Sequence, residues 1–140
     1  MPSRESQTVK LRADLAGPTA VVDAVSATRR FAVDQGLGTR DRAHLCIIVE
    51  ELVANLIEHG HNGVEQQIGV ELSRLPSMIA LAIEDDGGVF DPRNAPLGAG
   101  VPARGGGAGL RLVSAWSQIV AYRSAGGRNR LELEMPLTEG

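Results

Sequence analysis

Residues 47–61 read IIVEELVANLIEHGH, and the other segments of the chain take their meaning from this stretch. Ile48, Val49, Leu52 and Leu56 fall at the one-, three- and four-residue steps of a buried helical stripe. Glu51, Asn55 and His59 follow at intervals of four, so they stack along an adjacent face of the same helix. A carboxylate and an amide one turn apart have two readings. They form the solvated edge of an ordinary amphipathic helix, or they hold a metal–phosphate group against the body of a domain.

The composition narrows the classes to consider. A length of 140 residues fits one compact domain with a real core, expected to span 1–140. With 43% hydrophobic and 22% charged residues, the chain has the balance of a soluble globular protein. The net charge of −3 and the scattered Lys and Arg argue against direct nucleic-acid binding. No run approaches the ~18 apolar residues of a membrane span, and MPSRESQTVK at the start has no hydrophobic signal core. A single cysteine, Cys46, excludes an intrachain disulfide and reads as a small buried core residue. A cytoplasmic protein without membrane contact is expected.

Working outward from the helix, period-two alternation at residues 7–13 (Val9, Leu11, Ala13) predicts a first strand. Thr19 is placed to cap a helix running to about Gln35, with Val22, Val25, Arg29 and Ala32 at helical spacing and Gly36-Leu37-Gly38 as its stop. Thr39 caps the central helix, and Gly60 ends it. Strands are predicted at Gln67–Arg74 and Met78–Glu84, joined by a short turn at Pro76-Ser77. A helix is predicted from Ala108 to about Trp116. A closing hairpin, Ile119–Arg123 with Arg130–Met135, turns at Ser124-Ala125-Gly126-Gly127. The order β-α-α-β-β-α-β-β predicts a two-layer α/β sandwich. Its mixed, mainly antiparallel sheet of about five strands is covered on one face by three helices.

Two further stretches carry chemistry. Asp85-Asp86-Gly87-Gly88 follows a strand, where Asp85 either makes a turn or accepts a hydrogen bond from an exocyclic amine. Gly105-Gly106-Gly107-Ala108-Gly109-Leu110 opens a helix after an aperiodic loop of about 15 residues. Glycines there either serve a mobile linker or let backbone N–H groups cradle a phosphate. A Walker A sequence, the protein-kinase signatures, a Cys/His zinc cluster and a G-x-S-x-G elbow are all missing from the sequence.

Taken together, Glu51-Leu-Val-Ala-Asn55-Leu-Ile-Glu-His59-Gly60, Asp85-Asp-Gly87-Gly-Val-Phe90-Asp91-Pro92 and Gly107-Ala-Gly109-Leu110 resemble the N-box, G1 box and G2 box of the GHKL (Bergerat-fold) ATPases. The match is most similar to the small anti-sigma-factor serine kinases of bacterial partner-switching systems. It covers nearly the whole chain, with the three boxes in the family's order.

The resemblance implies ATP and Mg²⁺ as ligands. Asn55 would coordinate Mg²⁺, and Glu51 would be the general base toward a substrate hydroxyl. Asp85 would bond the adenine amino group, with Gly87 giving the base close approach. Gly107, Gly109 and Leu110 would close on the phosphates, residues 93–107 would form the ATP lid, and Arg104 would place a charge near the γ-phosphate. His59 would fix the end of the N-box helix. Where the family often offers a threonine near the adenine, this chain has Asn129, a polar stand-in. The implied partners are a STAS-type anti-anti-sigma factor, phosphorylated on serine, and a sigma factor. A homodimer is a family expectation. The alternative function is a nucleotide-binding interaction module without kinase activity.

Overall fold

The computed structural model describes residues 9–60, 67–87 and 106–138. The elements are β1 (Val9–Ala16), α1 (Ala20–Asp34), α2 (Thr39–Gly60), β2 (Gln67–Arg74), β3 (Met78–Asp85), α3 (Gly106–Trp116), β4 (Gln118–Ala125) and β5 (Arg128–Pro136). This is the predicted order. The five strands form one sheet in the order β1-β2-β3-β5-β4. Every pairing among them is antiparallel, so the expected mixture of directions is not found among the described residues.

Alternation along the strands sorts the sheet into two faces. Ile79, Leu81 and Ile83 of β3 pair with Met135, Leu133 and Leu131 of β5, and all six are buried. With Ile68, Val70 and Leu72 of β2 they make the floor of the core. The lid over it is mainly α2, whose Leu45, Ile48, Val49, Leu52 and Val53 are buried. The apolar stripe of the 47–61 stretch is therefore the contact between helix layer and sheet.

The first helix packs differently from its prediction. Its buried face is Ala20, Ala24, Thr28, Phe31 and Ala32, whereas Val22 is 65% exposed. Small residues let α1 lie close to α2, so steric fit overrides the larger hydrophobe. The buried Thr28 hydroxyl donates to the Ala24 carbonyl one turn back, which satisfies it. Thr19 occupies the N-cap position without capping the backbone, because its hydroxyl donates to the Asp23 carboxylate instead. Gly36 ends α1 with φ +71°, and the N–H groups of Gly36 and Leu37 bond the Val33 and Ala32 carbonyls in a Schellman arrangement closed by buried Leu37.

Two other boundaries and one burial differ from the sequence reading. β1 extends to Ala16, because Leu15 continues the inward alternation. α3 begins at Gly106, so Gly106 and Gly107 belong to the helix and not to the preceding loop. Cys46 is half-buried, not a core residue; burial pushes its thiol above the usual value despite nearby Arg29 and Arg42. It sits one position off the buried line of Leu45, Ile48 and Val49.

Two contacts hold the helices in place. His44 of α2 stacks on Trp116 of α3, with ring centroids 3.6 Å apart and planes 3° from parallel. Asp41, buried in the first turn of α2, accepts hydrogen bonds from the backbone N–H (2.9 Å) and the hydroxyl (2.7 Å) of Thr138. The chain after β5 is thereby tied to the start of the central helix. At the opposite end of β5, Gly126 and Gly127 both have positive φ, as a two-residue hairpin between β4 and β5 demands.

Candidate functional site

On β3 the inward phase of Ile79, Leu81 and Ile83 continues to Asp85. On β5 the inward phase of Met135, Leu133 and Leu131 continues to Asn129. Asp85 and Asn129 are direct cross-strand partners, 2% and 4% exposed. The apolar floor thus ends in a carboxylate and an amide on the helix-covered face. Beside them lies a narrow cleft, partly open to solvent. Its lining comprises Leu52, Asn55 and Leu56 from α2, Ile83 and Asp85 from β3, Tyr122 from β4, and Asn129 and Leu131 from β5. The walls are apolar with a few convergent polar groups, the usual character of a small-molecule site.

Asn55, Asp85 and Asn129 are the predicted residues that meet in this pocket. Asn55 is 6% exposed, and no described residue hydrogen-bonds its side-chain amide. A buried amide without a partner costs about 1–3 kcal/mol, so a ligand that satisfies it has a ready place. Glu51 stands one turn earlier on α2, half-buried, and is not among the residues lining the pocket.

Gly87 acts through its backbone: its N–H donates to Asp85 Oδ2 at 2.8 Å, and its carbonyl accepts from Asn129 Nδ2 at 3.1 Å. Gly107 and Gly109 fall in the first turn of α3, with Leu110 directly after it, and α3 packs on α2. The first N–H groups of any helix lack intrahelical acceptors, and this turn supplies such a set. Arg104, most of the expected lid, and the side chains of His59 and Leu110 lie outside the described residues.

Asn129 is hydrogen-bonded on both sides of its amide. Its Nδ2 donates to both oxygens of Asp85, at 3.3 Å each, and its Oδ1 accepts from the Ser124 hydroxyl at 2.7 Å. Ser124 and Tyr122 were not singled out from the sequence. The signal for the polar pair was phase: Asp85 and Asn129 each continue an inward apolar row, where a polar residue needs a partner.

Behind the pocket, on the open face of the sheet, the adjacent pair Glu84 and Arg130 belongs to a charged lattice. Arg130 bonds Glu84 at 2.6 Å and Glu132 at 2.8 Å, and Arg12 bonds Glu71 at 2.7 Å and Glu84 at 3.1 Å. Burial alone would raise the Glu71 and Glu84 carboxyls. Hydrogen bonds from Arg130 and Arg12 outweigh it and hold both below the usual carboxylate value. Arg12 crosses β2 directly over Gly69, where any Cβ would collide with its guanidinium.

Among the described residues no group of three or more His, Cys, Asp or Glu side chains forms a self-sufficient metal cage, and no helix is long and apolar enough to cross a membrane. A Mg²⁺ held by one amide oxygen, phosphate oxygens and water needs no such cage, and Asn55 suits that mode.

Known proteins share this architecture. The backbone is similar to the histidine kinase domain of the Erythrobacter litoralis EL346 blue-light activated histidine kinase, with TM-score 0.53 and 15% identity over 85% of this chain and 61% of that one. It is also similar to the Acinetobacter baumannii histidine kinase AdeS, with TM-score 0.51 and 18% identity over 91% of this chain and 68% of that one. At these identities the likeness is one of fold, and the chain spans about three fifths to two thirds of those structures. No curated protein sequence matches at a significant level. A family model does match, over residues 15–135, from the end of β1 to the end of β5. By that match the chain belongs to the histidine kinase-like ATPase domain family.

Proposed function

We propose that this chain binds ATP with Mg²⁺ and transfers the γ-phosphoryl group to a serine of a small STAS-type anti-anti-sigma partner, acting as an anti-sigma regulatory kinase. The observation that carries the nucleotide reading is the buried Asn55 amide, unmatched by any described residue, facing one pocket with Asp85. Asp85 accepts the adenine 6-amino group. Leu52, Leu56, Ile83 and Leu131, which line the cleft beside Asp85, would give the base its apolar contact. The Asn55 side-chain oxygen and the N–H groups at Gly107 and Gly109 hold the phosphate end. Bound Mg²⁺ would supply charge neutralisation at the phosphates.

In the transfer, the serine Oγ forms a bond to the γ-phosphorus as the bond to the β–γ bridging oxygen breaks. ADP leaves, and the hydroxyl proton passes to the Glu51 carboxylate. Glu51 stands one turn before Asn55 on α2, half-buried and outside the pocket lining. Its position supports a base that meets a docked protein and not the enclosed nucleotide. Unphosphorylated partner then competes with a sigma factor for this chain.

The test is transfer from radiolabelled ATP to the partner, comparing wild type with Glu51→Ala. ATP binding is expected to survive while transfer falls by about 10²-fold, the scale of a lost general base. Undiminished transfer would overturn the role of Glu51. Bound ATP with no transfer by wild type would favour the alternative, a nucleotide-dependent interaction module. In parallel, Asn55→Ala is expected to weaken Mg²⁺-ATP binding in calorimetric titrations.

A further inference from the structure

Three strands contribute one row of side chains at the end of the pocket. The register aligns Asp85 with Asn129 and Asn129 with Ser124. The chemistry of the row dictates its direction. Asp85 and the Gly87 carbonyl only accept hydrogen bonds, so the Asn129 nitrogen must face them. The Asn129 oxygen then faces Ser124, whose hydroxyl must donate. If the amide turned over, its oxygen would oppose the carboxylate and the Gly87 carbonyl, which excludes that orientation. Donation therefore runs Ser124 to Asn129 to Asp85. Gly87 N–H adds a second donor to Asp85 from the turn.

We propose that Ser124 and Asn129 are positioning residues that hold Asp85 in place as an acceptor and so set how strongly this pocket recognises the 6-amino group of adenine. The proposal rests on the ATP reading above and goes beyond it, because neither residue needs to touch the nucleotide. An unsupported carboxylate in the same place has other rotamers available and can turn from the base. Asn129 holds both its oxygens, and Ser124 holds Asn129. The row also accounts for the asparagine at a position where the resemblance leads one to expect threonine. A threonine hydroxyl has one hydrogen to donate, whereas the amide nitrogen reaches both Asp85 and Gly87.

The experiment measures affinities for ATP and for purine riboside triphosphate, which is ATP without the 6-amino group. The ratio of the two isolates that group, and general effects of a substitution on folding or phosphate binding cancel. Wild type is expected to prefer ATP by about 10-fold or more, the scale of a hydrogen bond to a charged group. Asn129→Leu is expected to bring the ratio to within about 2-fold of one, since Asp85 loses the amide that spans both its oxygens. Ser124 lies nearer the surface, so Ser124→Ala guards against a misfolded Asn129 variant. It is expected to lower the ratio by about 3-fold, with Ser124→Thr restoring it because the hydroxyl returns.

If wild type binds neither triphosphate, the ATP reading falls and takes this proposal with it. If wild type prefers ATP and both Asn129→Leu and Ser124→Ala keep the same ratio, nucleotide binding stands and the positioning role is overturned. Equal binding of the two triphosphates by wild type likewise overturns the role of the row while leaving a nucleotide site in place.

Discussion

Two polar pairs sit side by side where β3 meets β5, and they have opposite environments. Asp85 with Asn129 lies on the helix-covered face, almost wholly buried. Glu84 with Arg130 lies one residue along, on the open face, with side chains 21% and 31% exposed. The open-face pair has the shorter bond and full opposite charges. Its environment nevertheless makes it the weaker constraint. Water can replace a lost partner on the open face, and salt screens the attraction. In the pocket both groups are almost wholly buried, so water replaces a lost partner less readily and the remaining group keeps fewer hydrogen bonds than it had. The same sheet therefore uses burial to make a site on one side and exposure to make a tolerant charged surface on the other.

The largest effect expected from this contrast is in the core rows leading to the two pairs. Leu133→Ala, on the covered face, should cost about 2–5 kcal/mol in urea denaturation. Its neighbour Glu134→Ala, on the open face, should stay within about 0.5 kcal/mol. Similar costs for the two would show that the helices do not seal that face.

The second comparison uses the pairs themselves. Asn129→Leu keeps the branched shape but removes the amide that donates to both Asp85 oxygens, and should cost about 1–3 kcal/mol. Arg130→Met should cost about 1 kcal/mol or less, because solvent already screens the lattice. The reverse ranking in denaturant melts would mean that the lattice, and not the buried row, secures the β3–β5 junction.

The smallest effect is one of pH. The Glu71 and Glu84 carboxyls are held below the usual carboxylate value in the folded protein by Arg130 and Arg12. A carboxyl lowered on folding stabilises the protein above its unfolded value, and that stabilisation is lost as pH falls through the folded one. Wild type should therefore lose more stability between pH 5 and pH 2 (about the range in which such carboxyls titrate) than the Arg12→Met/Arg130→Met double variant. The expected difference is under about 1 kcal/mol, given the exposure of the side chains. Parallel pH profiles for the two proteins would remove the lattice from the account of acid stability.

Much of this molecule is legible in local patterns. The 3.6-residue stripe of Ile48, Val49, Leu52 and Leu56 marks α2 and its buried side, and the glycine at Gly36 marks a helix end. Period two marks each strand. What the patterns misjudge is which of several apolar lines a neighbour will cover. Val22 fits a helical stripe as well as Ala24 does, yet α1 approaches through its alanines. Cys46 lies in an apolar run but falls between the buried positions of α2.

The sequence by itself determined the element order and the family resemblance, and it singled out Glu51, Asn55, Asp85 and Gly87 as candidates, because each of those signals lies within a few residues of chain. Only the tertiary structure decided what Asn129 does. Its bond to Asp85 joins residues 44 apart in the chain and depends on the register of β3 against β5. A slip of one residue would turn Asn129 to the open face and bring Arg130 or Arg128 into the pocket. The row from Ser124 to Asp85 exists because three strands align, and strand alignment is a property of the packed sheet.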